Sequence, residues 1–480
     1  MKKIKLIIYG LVLLLVAASC DLTDVENYDY KKESEAYRNL TDVRNGMNAA
    51  YNYLGSYEFL GNYATILGDM LAGVSNGNAS TGHFYAYSTF TFSDTGEEIS
   101  DMWDYGFKVV NAATRTIQAA QKLQADSAVL ESELPQLSNY VGQCHALKAL
   151  AYYYMVNLYA LPYSSANAST PGLPVVGNEP VEAFATIKRA TVQETYDQIL
   201  KDIAAAEEAF AAAGKEAESS AYYMGPMGLQ ALEARVYMSL GQYGKAEAAA
   251  KAAIELKGGD ATGTGTDGVP SNKDYLAMWG STAISGEDLF TIVKSSDDNL
   301  SANSLNTAYN SYYCTLQKAA YDFVGERDVR RQLLKSGGSG GITTTKYDGI
   351  PSEASVSNIP VFRKSEMSLI VAEVEARNGN IAAAQNYLLF TAKRDSAITS
   401  AQQLPSTSEG LMKFIGEERI REFLGEGHRF YDARRMGDIV SGDKFQNWDI
   451  SKFVLPIPSD EVNAGFGVEQ NEHWADNFPE

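Results

Sequence analysis

The densest run of ionisable side chains is GEERIREFLGEGHRFYDARRMG, residues 416–437, where Glu418, Glu422, Glu426 and Asp432 alternate with Arg419, Arg421, Arg429, Arg434 and Arg435. Two carboxylates suitably placed would be the acid and base of a glycosidase. The spacing favours a different use. Glu418, Glu422 and Glu426 stand four residues apart, and on a helix they would form ladders of ion pairs with Arg419, Arg421 and Arg429. A structural network is the expectation, and no catalytic residue is assigned.

Other reactive patterns are weaker still. The four histidines include no H-E-x-x-H and the three cysteines no C-x-x-C, so neither a zinc protease nor a structural zinc is supported. No G-x-S-x-G elbow occurs. GTGTDG, Gly263 to Gly268, fits G-x-G-x-x-G but follows no strand and opens no evident helix, which reads as a loop. His145 reads as a helix-face residue, and no cofactor or metal is implied.

The elements that would hold these residues are helical pairs. From Tyr140 to Tyr159, Ala146, Leu147, Leu150, Tyr154 and Leu158 recur at spacings of three and four, and Pro162 ends the pattern. Thr191 and Glu194 form a capping-box signature that opens a partner helix through Tyr196, Ile199, Ile203 and Ala206. From Met227 to Leu256, Ala231, Ala234, Tyr237 and Leu240 precede Gly241, Tyr243, Ala246 and Ala250, a tetratricopeptide-like unit in which small residues let two helices approach and glycine turns the chain. A comparable pattern returns from Phe362 to Phe390, and a looser one pairs Asp42 to Leu54 with Trp103 to Gln121, where Trp103 reads as core. The expected fold is therefore all-α, a tetratricopeptide-like repeat body of about four helix pairs carrying long irregular insertions.

Two insertions stand out by composition. Gly258 to Gly349 is rich in Gly, Ser, Asn and Tyr without a helical period, and its aromatic content argues for an ordered, ligand-facing segment. Gly68 to Asp101 shares that polar and aromatic character and contains His83 and Phe84.

The N-terminus reads as a secretory signal over residues 1–19, with Lys2, Lys3 and Lys5 before an apolar stretch from Leu6 to Ala18 that is too short to span a membrane. Cys20 follows Ala17, Ala18 and Ser19 and is the expected lipidation site, with residues 20–37 as a tether and 38–480 as a single domain. Ala17 stands where such signals usually carry leucine, so cleavage without lipid is the alternative. Within the domain, helical repeats are expected over about 38–256 and 360–440, a loop-rich insertion over 257–358, and a distinct C-terminal segment over 410–480. Cys144 and Cys314 are expected as free, buried thiols. A formal charge of −20 excludes nucleic acid as a partner, because phosphate recognition needs a basic surface.

In order along the chain, MWDYGFKVVNAATRTI, GQCHALKALAYYYMVNLYALPY, PGLPVV, RATVQETYDQILKDI, IPVFRKSEMSLIVAEVEARNG and the Glu/Arg-rich tail with LPIPSDEVNAGFGVEQN resemble segments of the SusD/RagB family. Ala160 replaces the glycine usual in the family's Tyr-Gly-x-Pro turn. The resemblance implies a lipid-anchored outer-membrane protein, exposed at the cell surface, that covers a SusC-like TonB-dependent transporter. Asp21, Asp24 and Glu26 after Cys20 look similar to that family's surface-export signals.

It also implies a ligand site built from loops in the two insertions. Sugar rings present flat apolar faces edged by hydroxyls, so a site needs aromatic platforms beside amides and carboxylates. Trp279, Tyr309, Tyr312 and Tyr313 facing Asp69, Asn76, Asn78, Tyr85 and Tyr87 would supply both. The expected function is capture of an oligosaccharide and its delivery to the partner transporter, with no covalent step. The alternatives are a peptide binder of the same family and a surface glycan hydrolase.

Overall fold

The structure, a computed structural model, describes residues 36–178, 185–217, 219–264, 271–337 and 340–479. The signal segment, Cys20 and most of GTGTDG lie outside the described residues.

The helix pairs form as the spacing predicts. Helix α1 (Leu40–Leu54) packs on α2 (Glu97–Ala125), α3 (Leu134–Tyr159) on α4 (Val192–Ala213), α5 (Pro226–Ser239) on α6 (Tyr243–Lys257), and α7 (Lys364–Arg377) on α8 (Ile381–Ala392). α3 is the axis: every residue from Gly142 to Tyr153 is buried, and it packs against both α2 and α4. An all-round buried helix needs its polar groups partnered within the core. His145 accordingly meets Asp202 of α4 at 2.8 Å, in the helix interface rather than on an outer face. α4 opens at Thr191, whose hydroxyl accepts from the Glu194 amide (3.1 Å) while the Glu194 carboxylate accepts from the Thr191 amide (2.8 Å). α5–α6 and α7–α8 turn on Gly241 and Gly379, both left-handed with φ of 68° and 78°, which an alanine would strain. Ala231, Ala234, Ala246 and Ala250 are wholly buried where α5 meets α6. Cys144 and Cys314 are buried free thiols.

The insertions are ordered by small sheets. Asp288–Ile292 pairs antiparallel with Ile359–Arg363, tying the long insertion to the start of α7. A second antiparallel sheet runs in the order Ser75–Asn76, Thr315–Leu316, Ile342–Thr344, Leu334–Ser336. Its first strand belongs to the short insertion and the others to the long one, so the sheet staples the two together.

The Glu/Arg-rich tail forms a structural network, but not the ladder its spacing suggests. Helix α9 (Ser408–Glu422) ends at Glu422, and left-handed Gly425 and Gly427 place Glu426 in a turn, off the face it would share. The partners instead come from far along the chain. Arg330 pairs with Asp328 (2.6 Å) and Glu418 (2.8 Å), Arg363 with Glu287 (2.8 Å), Glu422 (2.9 Å) and Glu426 (2.8 Å), and Arg394 with Glu287 (2.6 Å) and Glu422 (2.9 Å). Arg429 turns to Asp438 and Arg419 to Asp432, both at 2.6 Å, while Arg421 with Glu418 and Arg435 with Asp432 keep near-sequence bonds. All of these carboxylates except Asp438 are buried, and their many-fold pairing fixes which segments meet more than it adds net stability.

Candidate functional site

The two insertions meet at one surface. From the short insertion comes a tight loop in which the Asn78 side chain accepts from the Ser80 amide (2.9 Å) and the Asn78 amide donates to the His83 carbonyl (3.2 Å). From the long insertion come Tyr312 and Tyr313. Thr81 donates its hydroxyl proton to the Tyr312 carbonyl (2.9 Å) and Asn78 its amide to the Tyr313 carbonyl (3.4 Å). The His83 ring lies on the Tyr312 ring with centroids 3.5 Å apart and planes 16° apart.

The backbone on both sides of this stack is strained. Phe84 and Tyr313, each directly after a stacked residue, hold φ of 55° and 59°. Bulky side chains rarely adopt that conformation, and it persists only where the surroundings over-determine it, as at binding sites. Phe84 is buried against Tyr63 and serves as the anchor. Gly77 allows the fold-back, since a Cβ there would fall 2.3 Å from the Phe84 carbonyl carbon. Tyr85, 36% exposed, stands beside the stack in sequence and opens a short helical turn, Tyr85–Ser88.

A polar row continues from the sheet edge. The Asn76 amide donates to Asp443 (2.8 Å), the Gln317 amide to the Asn76 side-chain oxygen (3.2 Å), and the Asp443 backbone N–H to the Gln317 oxygen (2.8 Å). Fixed amides and a carboxylate beside aromatic rings are what a hydroxyl-rich or amide-rich ligand needs for orientation.

Four of the residues expected to touch ligand do not reach this surface. Asp69, Tyr87, Trp279 and Tyr309 are 1%, 2%, 8% and 1% exposed. Asp69 accepts from the Gly425 amide (2.8 Å), and burial pushes its carboxyl up to about 7. Tyr87 donates to Glu98 (2.8 Å), with burial and that carboxylate raising its phenol. Tyr309 stacks parallel to Tyr347, 6.4 Å away. Trp279 packs with Tyr275 under the ion network, with the Lys346 ammonium 4.5 Å and the Arg363 guanidinium 5.2 Å from its ring. Tyr87, Trp279 and Tyr309 are large rings that pack into the interior, and Asp69 is a buried carboxyl on the helix Tyr63–Met70. Asn76, Asn78, Tyr85, Tyr312 and Tyr313 are the expected residues that the structure gathers, joined by His83 and Asp443, with the buried Gln317 bracing Asn76 and Asp443 from beneath. His83 was visible inside the short insertion; nothing in the sequence singles out Gln317 or Asp443, which arrive by strand pairing and a distant turn.

Among the described residues no cluster of His, Cys, Asp and Glu has the geometry to hold a metal ion, and no helix is long and apolar enough to cross a membrane.

A helical-repeat body with a loop-built aromatic and amide surface defines a class of binding proteins, and the comparisons give that class its family. The family described as "Starch-binding associating with outer membrane" matches residues 32–237, and the SusD family, under the heading SusD_RagB, matches residues 229–448. The chain belongs to the SusD/RagB family. Its fold is similar to that of a putative sugar binding protein from Bacteroides vulgatus, with 24% identity, a TM-score of 0.79, and 92% of this chain and 99% of that one covered. A SusD superfamily protein from Bacteroides thetaiotaomicron shares 22% identity over 90% of this chain and 99% of that one, with a TM-score of 0.78. Surface glycan-binding protein A from Bacteroides fluxus shares 19% over 90% and 99%, with a TM-score of 0.69. No curated protein matches the chain significantly.

Proposed function

We propose that this protein captures an oligosaccharide at the surface formed by His83, Tyr85, Tyr312 and Tyr313 and passes it, without covalent chemistry, to a SusC-like TonB-dependent transporter. The observation that carries this reading is the His83–Tyr312 stack, held between two strained backbone positions by two separate insertions. A flat aromatic face suits the apolar face of a sugar ring, and Asn76 and Asp443, braced from beneath by the buried Gln317, offer directional hydrogen bonds to its hydroxyls.

The rest of the reading rests on the family. Anchoring through a lipidated Cys20 would hold the domain at the outer membrane, and multiple acyl chains are needed for a stable attachment. The starch-binding description of the matched family and the likeness to surface glycan-binding protein A from Bacteroides fluxus favour carbohydrate over peptide.

The test is calorimetry of the mature protein, lacking residues 1–20, against a panel of host and plant glycans, with peptides in parallel. Saturable glycan binding that Tyr312→Ala weakens supports the proposal. Binding of peptides alone transfers the site to the peptide reading, and new reducing ends in the glycan samples would replace capture by hydrolysis.

A further inference from the structure

Two small cavities lie in the charged core on either side of Arg419, away from the candidate surface. The larger, of ≈ 30 Å³, is bounded by Arg235, Glu366, Arg419, His428, Tyr431 and Asp432. The smaller, of ≈ 10 Å³, lies between Asp69, Arg419 and Phe423. On this measure a single water occupies about 10–15 Å³, so the larger has room for about two waters and the smaller for about one.

The walls carry hydrogen-bonding demand that the protein leaves unmet. Arg419, 5% exposed, gives its Nε to Asp432 at 2.6 Å, while its Nη1 has no protein partner. The Tyr431 hydroxyl and Asp69 Oδ1 are likewise buried without a protein partner. Each such orphan costs about 1–3 kcal/mol, more where a charge is involved, so a core that keeps three of them beside cavities of water size implies an occupant.

Charge decides what the occupant is. Arg235, Arg419 and Arg435 line the larger cavity together with Glu366, Glu426 and Asp432, a balanced set. Each of those carboxylates is already paired: Glu366 with Arg235 (2.6 Å), Asp432 with Arg419 (2.6 Å) and Arg435 (3.1 Å), Glu426 with Lys346 (2.6 Å) and Arg363 (2.8 Å). Burial and the surrounding guanidinium groups hold His428 well below its usual value, so it adds no charge. An anion would bring an uncompensated charge into this balance; a neutral molecule that both accepts and donates would not.

We infer that both cavities hold ordered water, forming a relay from the Asp69 carboxyl through Arg419 Nη1 to the Tyr431 hydroxyl. In the smaller cavity the water accepts from Arg419 and bonds Asp69 Oδ1. In the larger it accepts from Arg419 and Tyr431. Asp69 is the structural end of this relay: its other oxygen takes the Gly425 amide (2.8 Å) and its carbonyl takes the Val74 amide (2.9 Å), just before the strand that carries Asn76. The waters thus fasten the root of the short insertion to the arginine core.

A high-resolution crystal structure of the mature protein, with a parallel bromide soak, tests this. The expected result is well-ordered density about 2.7–3.2 Å from Arg419 Nη1, Tyr431 Oη and Asp69 Oδ1, with no anomalous bromide signal. Empty cavities, or a direct Arg419–Asp69 contact, would overturn the relay, and a bromide peak beside Arg419 would replace it by an anion site. In solution, water-oxygen relaxation dispersion should detect long-lived internal waters and lose part of that signal in Tyr431→Phe, whereas an unchanged signal contradicts the assignment.

Discussion

The imidazole of His83 lies 3.5 Å above the ring of Tyr312, although the two residues come from insertions far apart in the chain, one within the first helix pair and one between the third and fourth. If this stack is the platform for ligand, Tyr312→Ala removes the face that the sugar uses. A central aromatic contact is worth about 2 kcal/mol or more, so the dissociation constant should rise about 30-fold in calorimetry with the thermal midpoint little changed. An unaltered affinity would move the site elsewhere.

Trp279→Ala should behave in the opposite way. Its ring is buried among Tyr275, Tyr347 and the Lys346 and Arg363 cations. Truncating a buried tryptophan costs about 3–5 kcal/mol, which appears as a lower urea midpoint. Folded protein that survives the change should keep its glycan affinity. A stable variant that no longer binds would return Trp279 to the ligand surface.

Gly77→Ala separates local from global effects. The new Cβ would meet the Phe84 carbonyl carbon at 2.3 Å, and that atom is backbone with little room to give. The loop must open, moving His83 off Tyr312. The expected outcome is at least a tenfold loss of binding with a far-ultraviolet spectrum like that of the parent, since the helix pairs lie outside the affected loop. Retained affinity would show that the fold-back does not shape the site.

Helix pairs were legible because their signals are local: the Thr191–Glu194 box, the small residues of α5 and α6, and the glycine turns each act within a few residues. The site was legible only as two regions. Exposure of a tyrosine in a loop depends on which strand pairs with which, and neither the Ser75–Leu316 register nor the approach of Asp443 to Asn76 has a local signature. The tail failed for a related reason. Four-residue spacing promises a ladder only if the helix continues, and Gly425 and Gly427 end it, so Glu422 and Glu426 look outward along the chain to Arg363 instead.

That network sets the acid limit of stability. Burial alone would raise the Glu422 carboxyl, but Arg394, Arg363, Arg330 and Lys346 overcome it and hold the group well below its ordinary 4.5; Glu418, Glu373 and Asp432 are lowered in the same manner. Depressed carboxyls contribute stability that is present above about pH 4.5 and is lost as pH falls further. Glu422→Gln leaves three buried guanidinium groups short of a charge and should cost about 3–5 kcal/mol at pH 7, with a smaller difference from the parent at pH 3. Equal penalties at both pH values would mean the carboxylate is not ionised in the fold.

Asp69 should oppose that trend at the other end of the scale. Burial raises its carboxyl from 3.8 to about 7, against the lowering effect of the Gly427 and Gly425 amides. A group whose folded value is raised favours the folded state fully below about pH 3.8, and that contribution declines as pH rises through about 7, for a total of about 4 kcal/mol. Asparagine keeps an oxygen for the Gly425 amide and cannot ionise. Asp69→Asn should therefore flatten the fall in stability between pH 5 and pH 8, so that the variant gains on the parent as pH rises; urea midpoints at the two pH values measure this. A variant that instead loses ground at pH 8 would show that the ionised carboxylate is the form the fold requires.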